Sequence, residues 1–161
     1  MKRIIFALLP LLLVGAACSN EPVFPVEPKI EFLDIQPRVV KHLQDSIVIT
    51  FRFQDGDGDL GAIEDSEDFN LILIDSRINN GLTELQATNK FTLLNLTPDT
   101  RNPSIQGTMS VKLDFTANLP GQLSEQVRYQ IKLFDRAGNL ATPINENSDN
   151  SIFTDYITIE R

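Results

Sequence analysis

The feature that most constrains this chain is the alternation of apolar and polar side chains with a period of two residues. Every second residue is apolar across residues 46–54, 109–115 and 127–133. A period of two belongs to β-strands that bury one face and expose the other, whereas a surface helix repeats its apolar residues every three to four positions. After residue 28 no segment shows a convincing helical spacing. The sequence therefore predicts an all-β fold.

Strand-like segments follow one another along the chain and are separated by Gly, Pro, Asn and Asp. We predict seven or eight strands, at residues 29–36, 46–54, 69–74, from Leu82, 90–96, 109–115, 127–135 and 155–160. The pair Asn80-Gly81 is typical of a two-residue hairpin turn. Short strands joined in this way indicate a single antiparallel β-sandwich over residues 29–161. The arrangement resembles the immunoglobulin-like and fibronectin type III classes.

The first 17 residues have the features of a secretory leader. Lys2 and Arg3 precede an uncharged, mostly apolar run of 14 residues, Ile4 to Ala17. A helix needs roughly 20 apolar residues to cross a bilayer, so this run fits the core of a signal peptide better than a membrane span. The run ends in small residues directly before Cys18, the only cysteine of the chain. We therefore predict a signal peptide over residues 1–17.

The small residues before Cys18 resemble the lipobox of bacterial lipoproteins, although Gly15 stands where that family most often has Leu. The resemblance implies loss of the leader, acylation of Cys18 and attachment to the cell envelope, with the outer membrane as the expected site. Two or more acyl chains give stable anchoring, at about 0.8 kcal/mol per buried methylene. Residues 18–28 contain three prolines and are predicted to form an extended tether. The alternative is an ordinary secretory leader with an incidental free thiol, and the sequence leaves open whether the domain faces the periplasm or the exterior.

The densest charge in the chain lies in a loop after the strand at 46–54. Seven of the fourteen residues from Asp55 to Asp68 are acidic, and Asp55, Asp57 and Asp59 alternate with glycine. Glycine lets the backbone curl, so that successive carboxylates face one point. Ca²⁺ binds six to eight hard oxygen ligands and relieves the repulsion between clustered carboxylates, whereas Mg²⁺ keeps more of its own water. These residues predict a calcium site, and the alternative is a solvated acidic turn.

The stretch from Asp55 to Gly61 resembles the acidic loop of extracellular Ig-like domains in Bacteroidota lipoproteins. The resemblance includes a second segment, Asp135 to Asn139, which follows the penultimate predicted strand. In a sandwich of this kind the loops after the second and the penultimate strands emerge at the same end. We therefore expect Asp135 and Asn139 to add oxygen ligands to the calcium site. The alternative is that this second segment is only a tight turn, since Gly and Asn tolerate a positive φ.

Composition excludes several classes of function. A single cysteine rules out a disulfide framework and a Cys-rich zinc site. The single histidine, His42, has no Ser or Asp motif that suggests a catalytic triad, so nucleophilic catalysis is not expected. The formal net charge of -8 argues against a nucleic acid partner, because phosphate binding needs clustered Lys and Arg. No catalytic residue is predicted.

We expect a lipid-anchored, non-catalytic binding or structural module of the cell envelope, whose partner is an unidentified protein or glycan. A glycan-binding accessory lipoprotein is the main alternative, and a carboxylate-based hydrolase is a more distant one. Glycan sites favour exposed aromatic platforms, yet the chain has no Trp and most of its Phe residues lie in strand patterns. Separately, Ser46 in the triplet Asp45-Ser46-Ile47 resembles an O-glycosylation acceptor of Bacteroidota proteins, and its alternative is a plain turn into a strand.

Overall fold

The structure is a computed structural model, and it describes residues 23–62, 68–79, 82–97, 104–114, 116–145 and 151–161. These ranges contain ten strands and no helix, and so no helix able to cross a membrane. The strands are β1 (Lys29–Gln36), β2 (Val39–Lys41), β3 (Ile47–Asp55), β4 (Leu71–Asn79), β5 (Leu82–Phe91), β6 (Ile105–Leu113), β7 (Ser124–Leu133), β8 (Thr142–Pro143), β9 (Ile152–Phe153) and β10 (Ile157–Glu160). The predicted signal peptide, Cys18 and the turn residues Asn80-Gly81 lie outside the described residues.

The ten strands form two sheets around one core. The four-stranded sheet has the order β6-β3-β1-β8, and the six-stranded sheet has the order β2-β10-β7-β4-β5, with β9 also paired to β7. Both sheets contribute to a single hydrophobic cluster, for example through Phe51 of β3 and Tyr129 of β7. Two sheets that share a core are a sandwich-like arrangement. Because the described residues form strands and no helix, the all-β prediction is confirmed.

Both sheets are mixed, so the expectation of a purely antiparallel sandwich is wrong. β8 pairs with β1 in parallel, and β2 pairs with β10 in parallel. The two strands have only two and three residues, respectively, and both lie at a sheet edge. A strand this short is held by backbone pairing to a longer neighbour and not by its own side-chain alternation. Its direction therefore leaves no pattern in the sequence.

The period-two pattern predicted the buried faces of the long strands correctly. In β3 the apolar residues of the pattern are buried, and in β7 the buried residues are Val127, Tyr129, Ile131 and Leu133. Full burial of each large apolar side chain contributes roughly 1.5–3 kcal/mol relative to exposure. β1 spans the predicted residues 29–36. The alternation therefore identifies which side chains build the core.

Most predicted strands differ from the observed ones in their bounds: β6 begins four residues earlier, at Ile105, β7 begins three residues earlier, at Ser124, and β10 begins two residues later, at Ile157. Two predictions differ more. β4 begins at Leu71 instead of Phe69, and β5 continues to Phe91 as one long strand. The separate strand predicted at 90–96 is wrong, because after Phe91 the chain leaves the sheet and Leu94 makes only an isolated bridge to Ala62. The short strands β2, β8 and β9 were not predicted, which accounts for ten strands instead of seven or eight.

A buried cluster of charges lies where β4 and β7 run side by side. Arg77 contacts Asp75 and Glu125, each at 2.6 Å, and all three side chains are less than 9% exposed. Burial alone lowers the pKa of Arg77, but the hydrogen bonds and charges of the two carboxylates outweigh it and raise the pKa. The guanidinium therefore stays charged inside the sandwich, where its partners offset the cost of its desolvation.

Candidate metal centre

The acidic loop, residues 55–61, begins at the last residue of β3 and is held by close backbone contacts. Gly58 has a φ of 68°, in the left-handed region that glycine enters without steric cost. Gly56 packs against the backbone oxygens of Phe24 and Pro25, and a Cβ at this position would overlap both oxygens. The alternation of Asp with Gly in the sequence therefore serves the path of the backbone as well as the spacing of the carboxylates.

The loop brings together the three predicted carboxylates. One carboxylate oxygen from each of Asp55, Asp57 and Asp59 lies within 4.8 Å of the others. The three side chains differ in burial: Asp55 is fully buried, Asp59 is half-buried and Asp57 is exposed. We refer to these three residues as the carboxylate triad. Asp55 therefore forms the side of the triad that is closed to solvent, and Asp57 forms the side that is open to it.

Two buried oxygens of the triad have no hydrogen-bond donor among the described residues. Asp55 accepts a hydrogen bond from the Leu60 N–H at Oδ2, over 3.1 Å, while its Oδ1 has no partner. Asp59 accepts a hydrogen bond from the Ala137 N–H at Oδ2, over 3.1 Å, and its Oδ1 is likewise buried and unpartnered. A buried carboxylate oxygen that lacks a donor is costly and uncommon in native structures. A cation or a proton on these atoms relieves that cost.

The pKa values of Asp55 and Asp59 are raised mainly by their burial. Burial raises the pKa of Asp55 to about 6, opposed by the hydrogen bond from Leu60 and reinforced by the charges of Asp57 and Asp59. Burial is also the largest cause that raises the pKa of Asp59, and the negative charge of Asp135 is the second. Asp55 and Asp59 therefore carry their negative charge in the folded protein at a cost. A bound cation removes this cost because it replaces repulsion with attraction.

The second predicted segment lies beside the triad and forms a closed turn. Asp135 is 5% exposed and accepts two hydrogen bonds from Asn139, one from the backbone N–H and one from the side-chain amide, each over 2.7 Å. The Asp135 N–H donates in return to the Asn139 carbonyl over 3.2 Å. The tight turn considered as the alternative is thus present. Within it, each of the two Asp135 carboxylate oxygens accepts one hydrogen bond. Each carboxylate oxygen retains a further lone pair for a ligand.

The turn at 135–139 is tied to the acidic loop through Asp59. The Asp59 carbonyl accepts a hydrogen bond from the Arg136 N–H over 3.2 Å, in addition to the bond between its carboxylate and Ala137. Leu60 and Asp135 also form an isolated antiparallel bridge. The prediction that the two loops lie together is therefore confirmed. Asp135 comes close enough to Asp59 for its charge to act there, but it is not a member of the carboxylate triad.

A third segment, residues 94–97, supports the loop and was not predicted to do so. The Thr97 hydroxyl donates to the Gly58 carbonyl over 2.5 Å. Asn95 Oδ1 accepts hydrogen bonds from the Thr97 N–H over 3.0 Å and from the Arg136 guanidinium over 3.3 Å. Nothing in the sequence near the acidic loop points to a segment more than thirty residues away. The Asn-x-Thr pattern indicates only a local turn.

The remaining residues singled out in the sequence lie away from the triad or outside the described residues. Cys18 lies outside them. Ser46 is half-buried directly before β3, in a turn where Asp45 accepts a hydrogen bond from the Lys41 N–H over 2.8 Å. His42 Nδ1 accepts a hydrogen bond from the Asn118 N–H over 2.9 Å, which gives the imidazole a role in connecting two loops.

A cavity of about 360 Å³ borders the turn at 135–139, with Phe69, Phe134, Asp135 and Arg136 among its lining residues. Phe69 is 53% exposed because β4 begins only after it, and the Lys90 ammonium lies 5.4 Å from the centre of its ring. The general expectation that Phe residues belong to the core therefore fails at Phe69. An exposed ring beside a cavity is the kind of aromatic platform that the composition argued against.

Comparison with known proteins gives no family assignment. No protein-family model matches the sequence, and no curated protein sequence matches it. Among solved structures, Spo0M, a sporulation control protein from Bacillus subtilis, is similar over 84% of this chain and 50% of that one, with 10% identity and a TM-score of 0.47. The chain thus spans about half the length of that protein. The X-ray structure of a Northeast Structural Genomics Consortium target is similar over 84% of each chain, with 13% identity and a TM-score of 0.24.

Proposed function

We propose that this protein is a non-catalytic module of the cell envelope that binds Ca²⁺ through Asp55, Asp57 and Asp59. The observation that carries the proposal is the pair of buried, unpartnered oxygens, Asp55 Oδ1 and Asp59 Oδ1, within a triad of converging carboxylates. Carboxylate oxygens are hard ligands, which suit Ca²⁺ and do not suit softer transition metals. Asp57, which is exposed, supplies a ligand that can move to meet the ion.

The proposed role of the ion is to lock the acidic loop onto the turn at 135–139. Asp59 supports this role because its Oδ2 already holds the Ala137 N–H while its Oδ1 is free for a cation. Asp135 is a further candidate ligand through its remaining lone pairs, and Asn139 contributes by holding Asp135 in place. In this role the ion would make the two loops a rigid edge that faces a binding partner. The alternative is that the ion only stabilises the fold.

Calcium titration tests the proposal. We expect calcium to raise the melting temperature of the protein, with a stabilisation of about 2.7 kcal/mol when free calcium reaches 100 times the Kd. The triple variant Asp55→Asn, Asp57→Asn, Asp59→Asn removes the response, whereas Asp114→Asn, an exposed acidic residue paired with Lys112, is the matched control and keeps it. An equal response of the triple variant and the native chain would show that the triad does not bind the ion.

We further propose that acylation at Cys18 anchors the protein to the outer membrane. The lipobox-like residues before Cys18 support this, and so does the lack of another cysteine. Phe24, which packs on Gly56, is six residues from Cys18, so the acidic loop lies at most about 20 Å of extended chain from the anchor. The tether is then short, and the loop belongs to the membrane-proximal end of the domain. Cys18→Ala should abolish labelling by fatty acid analogues and release the protein from membranes, and continued labelling would disprove the anchor.

The immunoglobulin-like or fibronectin type III identity of the fold is also a proposal. It is supported by the strand order of the larger sheet, in which β7 lies between β4 and β10, as the penultimate strand does in those sandwiches. Among the longer strands the chain changes sheet after β3, after β5 and after β6, as expected for Greek-key connections. An experimental structure with a different order of strands would contradict the proposal.

Glycan binding is a second candidate function, favoured by the exposed ring of Phe69 in the wall of a 360 Å³ cavity. Cavities of this size accommodate a small ligand, and a ring face suits the apolar side of a sugar. Binding of neutral or acidic oligosaccharides that is lost in Phe69→Ala tests it. Retention of binding in that variant would exclude this cavity as the site.

A further inference from the structure

The outward face of the six-stranded sheet carries three cations that we call the basic strip: Arg128, Lys132 and Lys90. Arg128 and Lys132 alternate with buried residues along β7 and therefore share its outward face. Lys132 lies opposite Ile72 of β4, and Ile72 lies opposite Lys90 of β5, so the two lysines flank one side chain. Four residues along a strand span about 13 Å, and two strand spacings about 10 Å. The strip thus covers a surface long enough for an extended ligand.

Among the described residues, the cations of the basic strip have no acidic partner of the kind that neutralises cations on the four-stranded sheet. On the four-stranded sheet, Arg52 pairs with Glu31 at 3.0 Å, and Lys112 pairs with Asp114 at 2.9 Å. Within the described part of the chain, none of the three strip residues forms an ion pair with an acidic side chain. Three cations on one face, without an acidic partner in the described ranges, favour an anionic partner at that face of a protein whose net charge is -8.

Arg128 is built into this face in an unusual way. Its guanidinium lies 4.0 Å from the ring centre of Phe153 and 5.2 Å from that of Tyr156. Its Nε is buried without a hydrogen-bond partner, and so is the hydroxyl of Ser76, the residue opposite it on β4. Stacking uses the flat faces of a guanidinium, and because Nε is buried, the edge formed by the two Nη groups is the one that a carboxylate can bind in a bidentate way.

We propose that the basic strip binds an anionic saccharide chain, with Arg128 receiving a sugar carboxylate. The proposal rests on glycan binding, the second candidate function, and adds the charge of the ligand and the surface that holds it. Aromatic rings stand beside cations at both ends of the strip, Phe153 and Tyr156 at Arg128 and Phe69 at Lys90. A uronic acid matches such a pair because its ring has an apolar face and its carboxylate has a charge.

The strip is less suited to the other common anionic partner, an acidic peptide. Extended peptides bind a sheet through the free backbone groups of an edge strand. β7 and β4 are paired on both sides, so the face that carries Arg128 and Lys132 offers side chains only. Phe69 connects the strip to the cavity beside the turn at 135–139, which gives a linear saccharide a continuous path.

The test compares a short oligoglucuronate with a neutral oligoglucose of the same length, using protein expressed from the full-length chain and purified in mild detergent. A chelator in the buffer prevents the acidic sugar from binding through a shared calcium ion. We expect the oligoglucuronate to bind in a salt-dependent manner and the neutral sugar to bind at least tenfold more weakly. Arg128→Gln should weaken oligoglucuronate binding about tenfold or more, because a charge-assisted hydrogen bond is lost. The matched control Arg52→Gln, on the opposite sheet, should leave it unchanged.

Each other outcome is decisive. Arg128→Lys keeps the charge and loses the fork, so weaker binding at an unchanged melting temperature confirms the role of Arg128 independently of any folding defect in Arg128→Gln. Equal binding of both sugars with no effect of Arg128→Gln overturns the strip but leaves glycan binding intact. No binding of either sugar overturns both, while the calcium proposal is judged separately by the melting temperature. Equal binding of polyglutamate or of anionic phospholipid vesicles overturns the assignment to a saccharide.

Discussion

The carboxylate of Asp59 accepts a hydrogen bond from the backbone N–H of Ala137 over 3.1 Å, although the two residues are 78 positions apart in the chain. The bond joins the acidic loop after β3 to the turn after β7. Asp59 also belongs to the carboxylate triad, where its other carboxylate oxygen is buried and unpartnered. The same side chain therefore connects two loops and faces the proposed ion.

Replacing Asp59 with Ala should affect both loops. The variant loses the acceptor for the Ala137 N–H. Because Ala137 is exposed, water can replace that acceptor, and removal of a carboxylate whose pKa is raised offsets part of the loss, so we expect a loss of at most about 1 kcal/mol in the absence of calcium. Amide hydrogens of residues 135–139 should exchange faster, and the response to calcium should disappear. Asp57→Ala is the control: because Asp57 is exposed, its removal should cost less than about 0.5 kcal/mol without calcium while still weakening the calcium response. Unchanged exchange in Asp59→Ala would contradict the proposed connection.

Asp55→Asn should have opposite effects with and without the ion. The substitution removes a buried charge whose pKa is raised from 3.8 to about 6, so the calcium-free protein at pH 7.5 should gain roughly 2–3 kcal/mol. The amide oxygen can still accept the bond from Leu60. Calcium should stabilise this variant far less than the native protein. Urea denaturation with calcium and with chelator measures both effects, and destabilisation of the calcium-free variant would argue against a costly charge at Asp55.

The stability of the calcium-free protein should depend on pH through the same carboxylate. Because the pKa of Asp55 is higher in the folded state than its ordinary value of 3.8, the folded state binds the proton more tightly. Stability should therefore increase as the pH falls from 7 through about 6 towards 4, and calcium binding should weaken over the same range because protons compete with the ion. The comparison of native protein with Asp55→Asn at pH 5 and pH 7.5 isolates this residue. A difference between the two proteins that is the same at both pH values would refute the prediction.

Gly56→Ala should separate the segment at 23–28 from the acidic loop. The added Cβ overlaps the backbone oxygens of Phe24 and Pro25, which cannot rotate away as a side chain can. We expect a loss of about 1–3 kcal/mol and faster proteolysis within 23–28. Gly121→Ala is the control, since that glycine has a φ of 86° but no atom near the new Cβ. It should cost about 1 kcal/mol and leave the protease pattern unchanged.

Arg77→Met should be the most destabilising of these substitutions. It leaves Asp75 and Glu125 buried without their counter-charge, which typically costs 3–5 kcal/mol. Arg52→Met removes an ion pair with Glu31 in which the arginine is half exposed, so it should cost less than about 1 kcal/mol. Thermal denaturation of the two variants side by side tests the difference. Equal losses would mean that the buried cluster contributes no more than a surface pair.

The sequence predicted the parts of the fold that depend on local periodicity. The inward faces of β3 and β7 follow from alternation alone, because successive side chains of a strand point to opposite sides. The range of β1 was also predicted correctly, with Pro37 marking its end. Phe69 was misassigned because a residue just before a strand has the same local pattern as one inside it. Its exposure depends on where pairing with β5 begins.

In the candidate site, too, the sequence predicted the local features and missed those that depend on distant segments. The convergence of Asp55, Asp57 and Asp59 follows from their spacing, since glycines between them leave the backbone free to curl. The support from Asn95 and Thr97 does not, because it requires two segments that are distant in the chain to meet. The stacking of Arg128 on Phe153 and Tyr156 is likewise absent from any sequence pattern.

The chain by itself determined which residues form the long strands, which side of each strand is buried, and where its acidic residues converge. Only the tertiary structure decided that β8 and β2 pair in parallel, that Asn139 occupies the oxygens of Asp135, and that Asp59 holds the turn at 135–139. The physical reason is that strand faces and loop curvature are set by neighbours in sequence. Hydrogen-bond partners of a buried carboxylate are set by whichever backbone the packed sheets bring within about 3 Å of it.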